Sequence, residues 1–210
     1  MSVKEKIKGL YAICDTTFSP QYSHVELAQK ILEGGCSLIQ LRMKGENDLS
    51  KVKKAVENIL ELKKKFPFTF ILNDYVELAG ALAVDGIHIG QDDLPIKVTR
   101  QIVGPQKLIG YSSHSLEEAL KAEKAGADYI ALGAIFPTQT KGSGHPVQGL
   151  ETLQKVVQSL HTPLVAIGGI TPENLTSVLQ TGVSSVAVIT ALSKAQDISK
   201  ATQDMIALIK

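Results

Sequence analysis

The sequence alternates between short apolar segments and longer segments whose apolar residues recur at helical spacing. Eight such apolar segments, each bounded by polar residues or glycines, lie at residues 10–14, 38–41, 68–72, 86–89, 108–111, 129–132, 164–167 and 186–189. They are almost continuously apolar, which is typical of parallel strands with helices on one side and packed side chains on the other. Eight strand–helix pairs in 210 residues predict an α/β fold, namely a closed (β/α)8 TIM barrel.

The signals that begin and end helices agree with this alternation. Ser115 precedes Leu-Glu-Glu as an N-cap, and Thr171-Pro172-Glu173 combines an N-cap with proline at the first helical position. The glycines that follow helical segments as C-caps are Gly35, Gly126 and Gly182.

An open doubly wound sheet is the rival architecture. Against it, no G-x-G-x-x-G follows the first strand, where residues 14–17 read Cys-Asp-Thr-Thr. No proline- or serine-rich linker divides the chain, so we expect one domain over residues 1–210. In a barrel, the active site is expected on the loops at the carboxyl ends of the strands.

Composition and charge exclude several classes of protein. The chain is 44% hydrophobic with a formal net charge of +1, which excludes intrinsic disorder and argues against a nucleic-acid partner. No run approaches the roughly 18 apolar residues of a membrane-spanning helix, and residues 10–14 are too short for a signal peptide. Cys14 and Cys36 form neither a C-x-x-C pair nor a ligand cluster. We expect a cytoplasmic protein with small-molecule ligands and no membrane partner, and leave a homo-oligomer open.

Charged and polar residues follow the second, third and fourth predicted strands. The second strand runs into residues 40–44, Gln-Leu-Arg-Met-Lys, whose three polar side chains alternate onto one side. The third strand ends in Asn73-Asp74 and the fourth leads to Asp92-Asp93. Carboxylates at neighbouring strand ends suit Mg²⁺, which takes one or two of them beside water and substrate phosphate. Taken singly, aspartates at such positions are more often helix N-caps or turn formers than metal ligands, and spacing does not choose between Asp92 and Asp93.

The loops after the last four strands are of the phosphate-binding type. Ser112 follows the fifth strand, and residues 138–141, Thr-Gln-Thr-Lys, lead into a glycine-flanked loop after the sixth. Gly168-Gly169 ends the seventh strand directly before a helix start, and Thr190 follows the eighth. Glycines let backbone N–H groups approach a phosphate, and a helix N-terminus favours negative charge. The sequence therefore predicts a phosphate site on the last loops, its usual place in a TIM barrel.

Two histidines, His88 and His114, lie at strand ends and are candidate site residues. The sequence contains no His-x-x-x-His, no supported Ser–His–Asp order and no cysteine ligand set. These absences argue against zinc chemistry and against a hydrolytic triad.

Five motifs occur in a fixed order along the chain. They are Gln40-Leu41-Arg42-x-Lys44, Asn73-Asp74, Gly86-x-His88-x-Gly90-Gln91-x-Asp93, Phe136-Pro137-Thr138-x-Thr140-Lys141 and Val165-Ala166-Ile167-Gly168-Gly169-Ile170. In this combination the chain resembles the thiamine phosphate synthase family from Tyr11 to about Leu192. The resemblance implies a (β/α)8 barrel enzyme that joins 4-amino-5-hydroxymethyl-2-methylpyrimidine diphosphate to a thiazole phosphate and releases pyrophosphate.

The resemblance also implies roles for individual residues. Mg²⁺ would be the cofactor, bound by Asp74 and Asp93. The pyrimidine diphosphate would be held by Gln40, Leu41, Arg42, Met43, Lys44, Asn73, Ser112 and Lys141, and the thiazole phosphate by Thr138, Gln139, Thr140, Gly169, Ile189 and Thr190. Arg42, Lys141 and Ser112 would be catalytic, with the departing pyrophosphate stabilised before the thiazole nitrogen attacks.

Departures from the family pattern keep two alternatives open. The family commonly has Gly-Pro before the Ile/Val-Phe-Pro-Thr segment, whereas Ala134 stands before Ile135 here, and residues 142–144, Gly-Ser-Gly, replace a more usual charged loop. A sister group, the thiazole tautomerases, shares the barrel and uses a histidine at the position of Ala134. That absent histidine makes a tautomerase the weaker hypothesis. The other alternative is a non-catalytic barrel that binds a phosphate ligand.

Overall fold

The structure, a computed structural model, describes residues 2–138 and 146–209. Its strands in this range are β1 (Gly9–Cys14), β2 (Leu38–Leu41), β3 (Thr69–Asn73), β4 (Gly86–Ile89), β5 (Leu108–Ser113), β6 (Tyr129–Leu132), β7 (Leu164–Ile167) and β8 (Ser185–Val188). Each strand pairs in parallel with the next, and β8 pairs with β1 to close the barrel. The predicted TIM barrel is confirmed, and the open doubly wound sheet is wrong.

Helices cover the outside of the barrel between the strands. They are α1 (Val3–Lys6), α2 (His24–Glu33), α3 (Leu49–Glu61), α4 (Val76–Ala81), α5 (Ile96–Val103), α6 (Leu116–Ala125), α7 (Gly149–Ser159), α8 (Pro172–Leu179), α9 (Thr190–Ser193) and α10 (Ile198–Ile209), with short 3₁₀ turns at Thr16–Phe18 and Leu62–Lys64. The Ser115 hydroxyl accepts the Glu118 N–H at 3.1 Å, which confirms the predicted start of α6. Gly126 ends that helix at a φ of 94°, in the left-handed region that glycine adopts without a Cβ penalty.

Strand β5 is longer than its apolar run predicts. The sequence predicts a strand over residues 108–111, but pairing with β6 continues through Ser112 opposite Ala131 and Ser113 opposite Leu132. Because serine carries little strand preference, the periodicity gives no sign of these two residues. The consequence is that Ser112 is held by a strand ladder rather than by a free loop.

The barrel interior is packed and closed at the amino ends of the strands. A cluster that includes Leu38, Ile71, Tyr129 and Val165 fills it, and Ile7, directly after α1, packs against this cluster with no exposed surface. A larger cluster lies between the strands and the outer helices. The fold therefore leaves the carboxyl ends of the strands as the open end of the barrel.

The length of the helices and the state of the two cysteines complete the description of the fold. Within residues 2–138 and 146–209, no helix has the length and apolar character needed to cross a membrane. Cys14 and Cys36 are both buried and form no disulfide. Burial raises the pKa of the Cys36 thiol to about 11, so this thiol stays protonated near neutral pH.

Candidate active site

Three adjoining pockets open at the carboxyl ends of the strands. The charged pocket, after β2 to β5, is lined by residues that include Arg42, Lys44, Asp74, Asp92, Asp93 and His114. The central pocket, over the barrel interior, is lined by residues that include Tyr11, Ile13, Gln40, Ala131 and Val165. The glycine pocket, after β6 to β8, is lined by residues that include Gly133, Ala134, Thr138, Gly168, Gly169 and Thr190.

Shared walls join the three pockets. Arg42, Asn73, His88 and Ser112 line both the charged and the central pocket, and Ile167, Ala187 and Ile189 line both the central and the glycine pocket. A ligand with an anionic group at one end could therefore meet a second ligand above the barrel interior. The arrangement suits a reaction between two molecules that enter from opposite sides.

The side chain of Arg42 is held by a buried carboxylate. Its Nη1 atom donates to Asp15 Oδ2, and Asp15, only 3% exposed, also accepts the Thr17 N–H at 3.0 Å through Oδ1. The Arg42 N–H donates to the Cys14 carbonyl at 3.0 Å, which joins the ends of β1 and β2. A guanidinium fixed in this way keeps further N–H donors for an anion in the pocket.

Lys44 and two aspartates form the charged wall. Lys44 Nζ donates to Asp74 Oδ2 at 2.9 Å, and this hydrogen bond raises the pKa of Lys44. Asp74 has a backbone φ of 71°, a left-handed conformation that is uncommon outside glycine and often found at functional sites.

Asp93 is more enclosed than its neighbour Asp92. Its Oδ2 accepts the Gly90 N–H at 2.7 Å, whereas Asp92 is exposed. Burial raises the pKa of Asp93, and the negative charge of Asp74 raises it further. The two carboxylates therefore influence each other electrostatically, and a divalent cation would stabilise the ionised form of both.

The carboxylates of the charged pocket determine which metal ion this site can hold. In the described part of the chain, no three His, Cys, Asp or Glu side chains are grouped to hold a metal ion. Two carboxylates are sufficient for Mg²⁺, since it usually keeps water and takes substrate phosphate as further ligands. Asp74 and Asp93 thus fit Mg²⁺ in the presence of a phosphorylated ligand.

Two predicted ligand-binding residues do not line any of the three pockets. Leu41 is fully buried in the outer core, and Met43 packs against that same core. The Met43 carbonyl also accepts the Tyr75 hydroxyl at 2.6 Å. Leu41 ends β2 with its side chain turned outward, and Met43, two residues after the strand, packs on the same side. Any contribution of these two residues to ligand binding therefore has to come from the main chain.

The glycine pocket has backbone groups close to the barrel mouth. Gly168 and Gly169 have φ values of 101° and 66°, and a Cβ on Gly169 would lie 2.6 Å from the Pro137 carbonyl oxygen. Asn174 Nδ2 donates to the Gly169 carbonyl at 2.9 Å and ties this turn to the start of α8. Main-chain N–H groups before a helix N-terminus suit a phosphate.

Some predicted residues can be placed and others cannot. Gln40, Asn73, Ser112, Thr138, Ile189 and Thr190 line the pockets. Gln139, Thr140 and Lys141, together with residues 142–144, lie outside the described residues.

Sequence reasoning missed three polar residues beneath the site. In the sequence, Asp15 belongs to a segment that lacks a glycine motif, and Tyr11 and Tyr129 belong to apolar runs, so local patterns give none of them a role. A tyrosine in an otherwise aliphatic strand is the signal that could have found the last two, because a buried hydroxyl needs a hydrogen-bond partner.

Sequence comparisons place the chain among proteins of one description. The family model for thiamine monophosphate synthase matches residues 10–192. A thiamine-phosphate synthase of Pyrococcus furiosus is 41% identical over 207 residues, covering 98% of this chain and 96% of that protein. A thiamine-phosphate synthase of Shouchella clausii is 39% identical over 201 residues, covering 96% of each.

Structural comparisons agree with the sequence comparisons. A thiamine phosphate pyrophosphorylase from Pyrococcus furiosus superposes with a TM-score of 0.90 at 39% identity, covering 99% of this chain and 98% of that one. An N-acetylmannosamine-6-phosphate 2-epimerase from Clostridium perfringens has a TM-score of 0.70 at 19% identity, which shows a likeness of fold alone.

Proposed function

Because this chain belongs to the thiamine monophosphate synthase family, and is therefore a transferase, we propose how its pockets carry out the reaction. The diphosphate of 4-amino-5-hydroxymethyl-2-methylpyrimidine diphosphate binds in the charged pocket, and its ring lies in the central pocket. The phosphate of 4-methyl-5-(2-phosphooxyethyl)thiazole, or of its carboxylated precursor, binds in the glycine pocket. The continuity of the three pockets carries this proposal, since it lets the two reacting groups meet at the barrel mouth.

The proposed reaction is dissociative and needs no protein nucleophile. The C–O bond to the diphosphate breaks with its electron pair going to the leaving oxygen, and the electron-rich aminopyrimidine stabilises the cation that remains. The lone pair of the thiazole nitrogen then forms the new C–N bond. No general base is required, because the thiazole nitrogen attacks with its own lone pair and releases no proton.

Asp74 and Asp93 are assigned to hold Mg²⁺. When bound, the ion supplies positive charge that stabilises the leaving pyrophosphate. Lys44, whose Nζ donates to Asp74 Oδ2 at 2.9 Å, lies beside the proposed Mg²⁺ site and can also contact a phosphate oxygen.

The remaining residues bind and orient the substrates. Arg42 and Ser112, at the boundary of the charged and central pockets, donate to the leaving diphosphate. Lys141 is assigned the same role from the sequence resemblance. Gln40 binds the pyrimidine, while Thr138, Gly169, Ile189 and Thr190 receive the thiazole phosphate, with Gln139 and Thr140 assigned there from the sequence.

The proposal extends to the domain, the partners and the location of the protein. We assign residues 1–210 to a single barrel domain with its active site at the carboxyl ends of the strands. Its partners are two small-molecule substrates, and we place it in the cytoplasm, where the buried thiols of Cys14 and Cys36 remain reduced.

The first prediction concerns the metal. With both substrates and Mg²⁺, the purified protein is expected to form thiamine phosphate and pyrophosphate in equal amounts, and chelation of Mg²⁺ is expected to lower the rate at least tenfold. Product chromatography and a pyrophosphate assay measure this. Isomerisation of the carboxylated thiazole without coupling would instead indicate a tautomerase, and ligand-induced stabilisation without turnover a binding protein.

The second prediction separates the two adjacent aspartates. Asp93→Asn is expected to raise the Mg²⁺ concentration for half-maximal activity by about tenfold or more, because the amide keeps the hydrogen bond from Gly90 but lacks the charge. The matched variant Asp92→Asn, at an exposed position, is expected to shift it less than about threefold. Titration of activity with Mg²⁺ measures both. An equal or larger shift in Asp92→Asn would contradict the assignment of Asp93.

A further inference from the structure

A chain of buried hydrogen bonds crosses the barrel interior beneath the site. Gln40 Nε2 donates to Tyr11 Oη at 2.7 Å, and Tyr11 Oη lies 2.8 Å from Tyr129 Oη. Tyr129 Oη lies 3.1 Å from His88 Nδ1, and His88 Nε2 lies 2.9 Å from Ser112 Oγ. Strands β2, β1, β6, β4 and β5 each contribute one residue, and both ends of the chain reach the central pocket.

The first donor favours one direction for the hydrogen bonds that follow it. Since the Gln40 amide donates to Tyr11, the single proton of Tyr11 is used best by donation to Tyr129. In this order the proton of Tyr129 goes to His88 Nδ1, 3.1 Å away, which acts as the acceptor. Burial raises the pKa of both phenols, so each hydroxyl keeps the proton that this order needs.

The direction of these hydrogen bonds determines whether Ser112 presents a proton or a lone pair to the substrate. A neutral imidazole that accepts at Nδ1 carries its proton on Nε2, and this proton is donated to Ser112 Oγ. The Ser112 hydroxyl therefore has its own proton left to donate into the pockets that it lines. The opposite direction would make Ser112 donate to His88 and face the leaving diphosphate with lone pairs.

A glycine on β5 makes room for the central part of the chain. Gly110 pairs in register with His88 on one side and with Tyr129 on the other. A Cβ at Gly110 would lie 2.0 Å from Tyr129 Cζ and 2.5 Å from His88 Nδ1. The two rings can therefore approach to a centroid distance of 5.5 Å because this position has no side chain.

We propose that Tyr11, Tyr129 and His88 are positioning residues that hold Ser112 as a hydrogen-bond donor to the leaving diphosphate. They act through one series of hydrogen bonds that starts at the Gln40 amide. The hydrogen bond to Tyr11 also holds Gln40 in place to bind the pyrimidine. The inference rests on the proposed function for the role of Ser112, but the direction of the chain can be tested without turnover.

The imidazole tautomer of His88 is the direct test. Long-range ¹H–¹⁵N correlation spectra of the ligand-free protein are expected to show His88 with its proton on Nε2, and the His88→Gln variant identifies that signal among the five histidines. Tyr11→Phe is expected to lower the fraction of this tautomer without abolishing it, because Tyr129 can still donate to Nδ1 but no longer accepts the hydrogen bond that directs its proton there. Tyr129→Phe is expected to lose this tautomer, because Nδ1 no longer has a donor. If the two tyrosines served only to pack the barrel interior, Tyr11→Phe and Tyr129→Phe would show the same His88 tautomer.

Kinetics test the effect on the reaction. Tyr129→Phe is expected to lower kcat about tenfold with less than about a twofold change in KM, because Tyr129 lines none of the three pockets. In a Ser112→Ala background it is expected to cause no further loss, since Tyr129 acts through Ser112. Tyr22→Phe, whose ring lies under Lys30 outside these pockets, serves as the matched control with unchanged kcat.

Three results would overturn the proposal. They are an Nδ1–H tautomer of His88 in the unmodified protein, an unchanged tautomer in Tyr129→Phe, and additive losses in the Tyr129→Phe, Ser112→Ala double variant. Failure of the unmodified protein to make thiamine phosphate would instead reject the proposed function. The spectra would still show whether the hydrogen bonds run from Gln40 to Ser112.

Discussion

Replacing Arg42 with glutamine is expected to lower kcat/KM for thiamine phosphate formation by about two to three orders of magnitude. The guanidinium lies where the charged and central pockets meet, and the Asp15 carboxylate holds it by a charge-assisted hydrogen bond. Its remaining N–H groups can therefore stabilise the developing charge on the diphosphate without first being ordered. A steady-state assay with both substrates and saturating Mg²⁺ measures the loss.

Stability has to be separated from catalysis in this variant. Arg42→Gln leaves Asp15, 3% exposed, without its cation, so Tm is expected to fall. Adding Asp15→Asn removes the unpaired charge and is expected to restore Tm but not activity. Arg100→Gln is the matched control, because this arginine also pairs with an aspartate, Asp128, but lies next to Lys107, directly before β5, at the amino end of that strand. Recovery of activity in the double variant would contradict the role assigned to Arg42.

The barrel could be predicted from the sequence because buried parallel strands need apolar side chains on both faces. Residues 38–41, 86–89, 129–132 and 164–167 are apolar runs whose ends agree with the strands β2, β4, β6 and β7. The end of β5 could not be predicted in this way, since Ser112 and Ser113 belong to the ladder without being apolar.

Much of the candidate site was predictable because a barrel brings the carboxyl ends of all its strands to one face. Arg42, Asp74 and Asp93 are far apart in sequence, yet they line one pocket because each follows a strand. Leu41 and Met43 show the limit of treating a motif as a continuous run. Neighbouring residues in an extended segment point to opposite sides. Leu41 and Met43 therefore pack in or against the outer core, although the motif includes them.

The polar groups under the site could not be predicted from local patterns. Tyr11 and Tyr129 are 118 positions apart and meet at 2.8 Å only because the closed barrel brings β1 and β6 across its interior. Their strands are apolar enough to predict burial, but the partner of a buried hydroxyl depends on register and on closure. The same holds for Asp15, which directly follows β1 and pairs with Arg42, the residue directly after β2.

Net charge likewise says little about the distribution of charge. The formal balance of +1 argues against a polyanionic partner, while Arg42 and the pair Lys44–Asp74 bring both signs of charge into one pocket. Under the proposed function, such a site would bind a small anion together with a divalent cation without a basic surface. The local arrangement of charge, rather than the net charge, would then select the ligand.

Gly110→Ala is expected to have the second large effect, on both stability and turnover. The new Cβ would lie 2.0 Å from Tyr129 Cζ, and such overpacking typically costs about 3 kcal/mol at the upper end of its usual range. For a chain of this length, that corresponds to a fall in Tm of about 6–12 °C. Displacement of Tyr129 from His88 is expected to lower kcat at least tenfold as well. Differential scanning calorimetry and the two-substrate assay measure the two effects.

Gly86→Ala separates crowding from loss of the hydrogen-bond chain. A Cβ at Gly86 would lie 2.5 Å from the Leu108 carbonyl oxygen and 2.9 Å from Ile71 Cδ1, so it also overpacks the barrel but does not meet Tyr129. It is expected to lower Tm by a similar amount with a smaller loss of kcat per folded molecule. Adding Tyr129→Leu to Gly110→Ala should recover part of the Tm but none of the turnover, because space returns without the hydroxyl. Equal losses of kcat in Gly86→Ala and Gly110→Ala would show that crowding, rather than the position of Tyr129, limits the reaction.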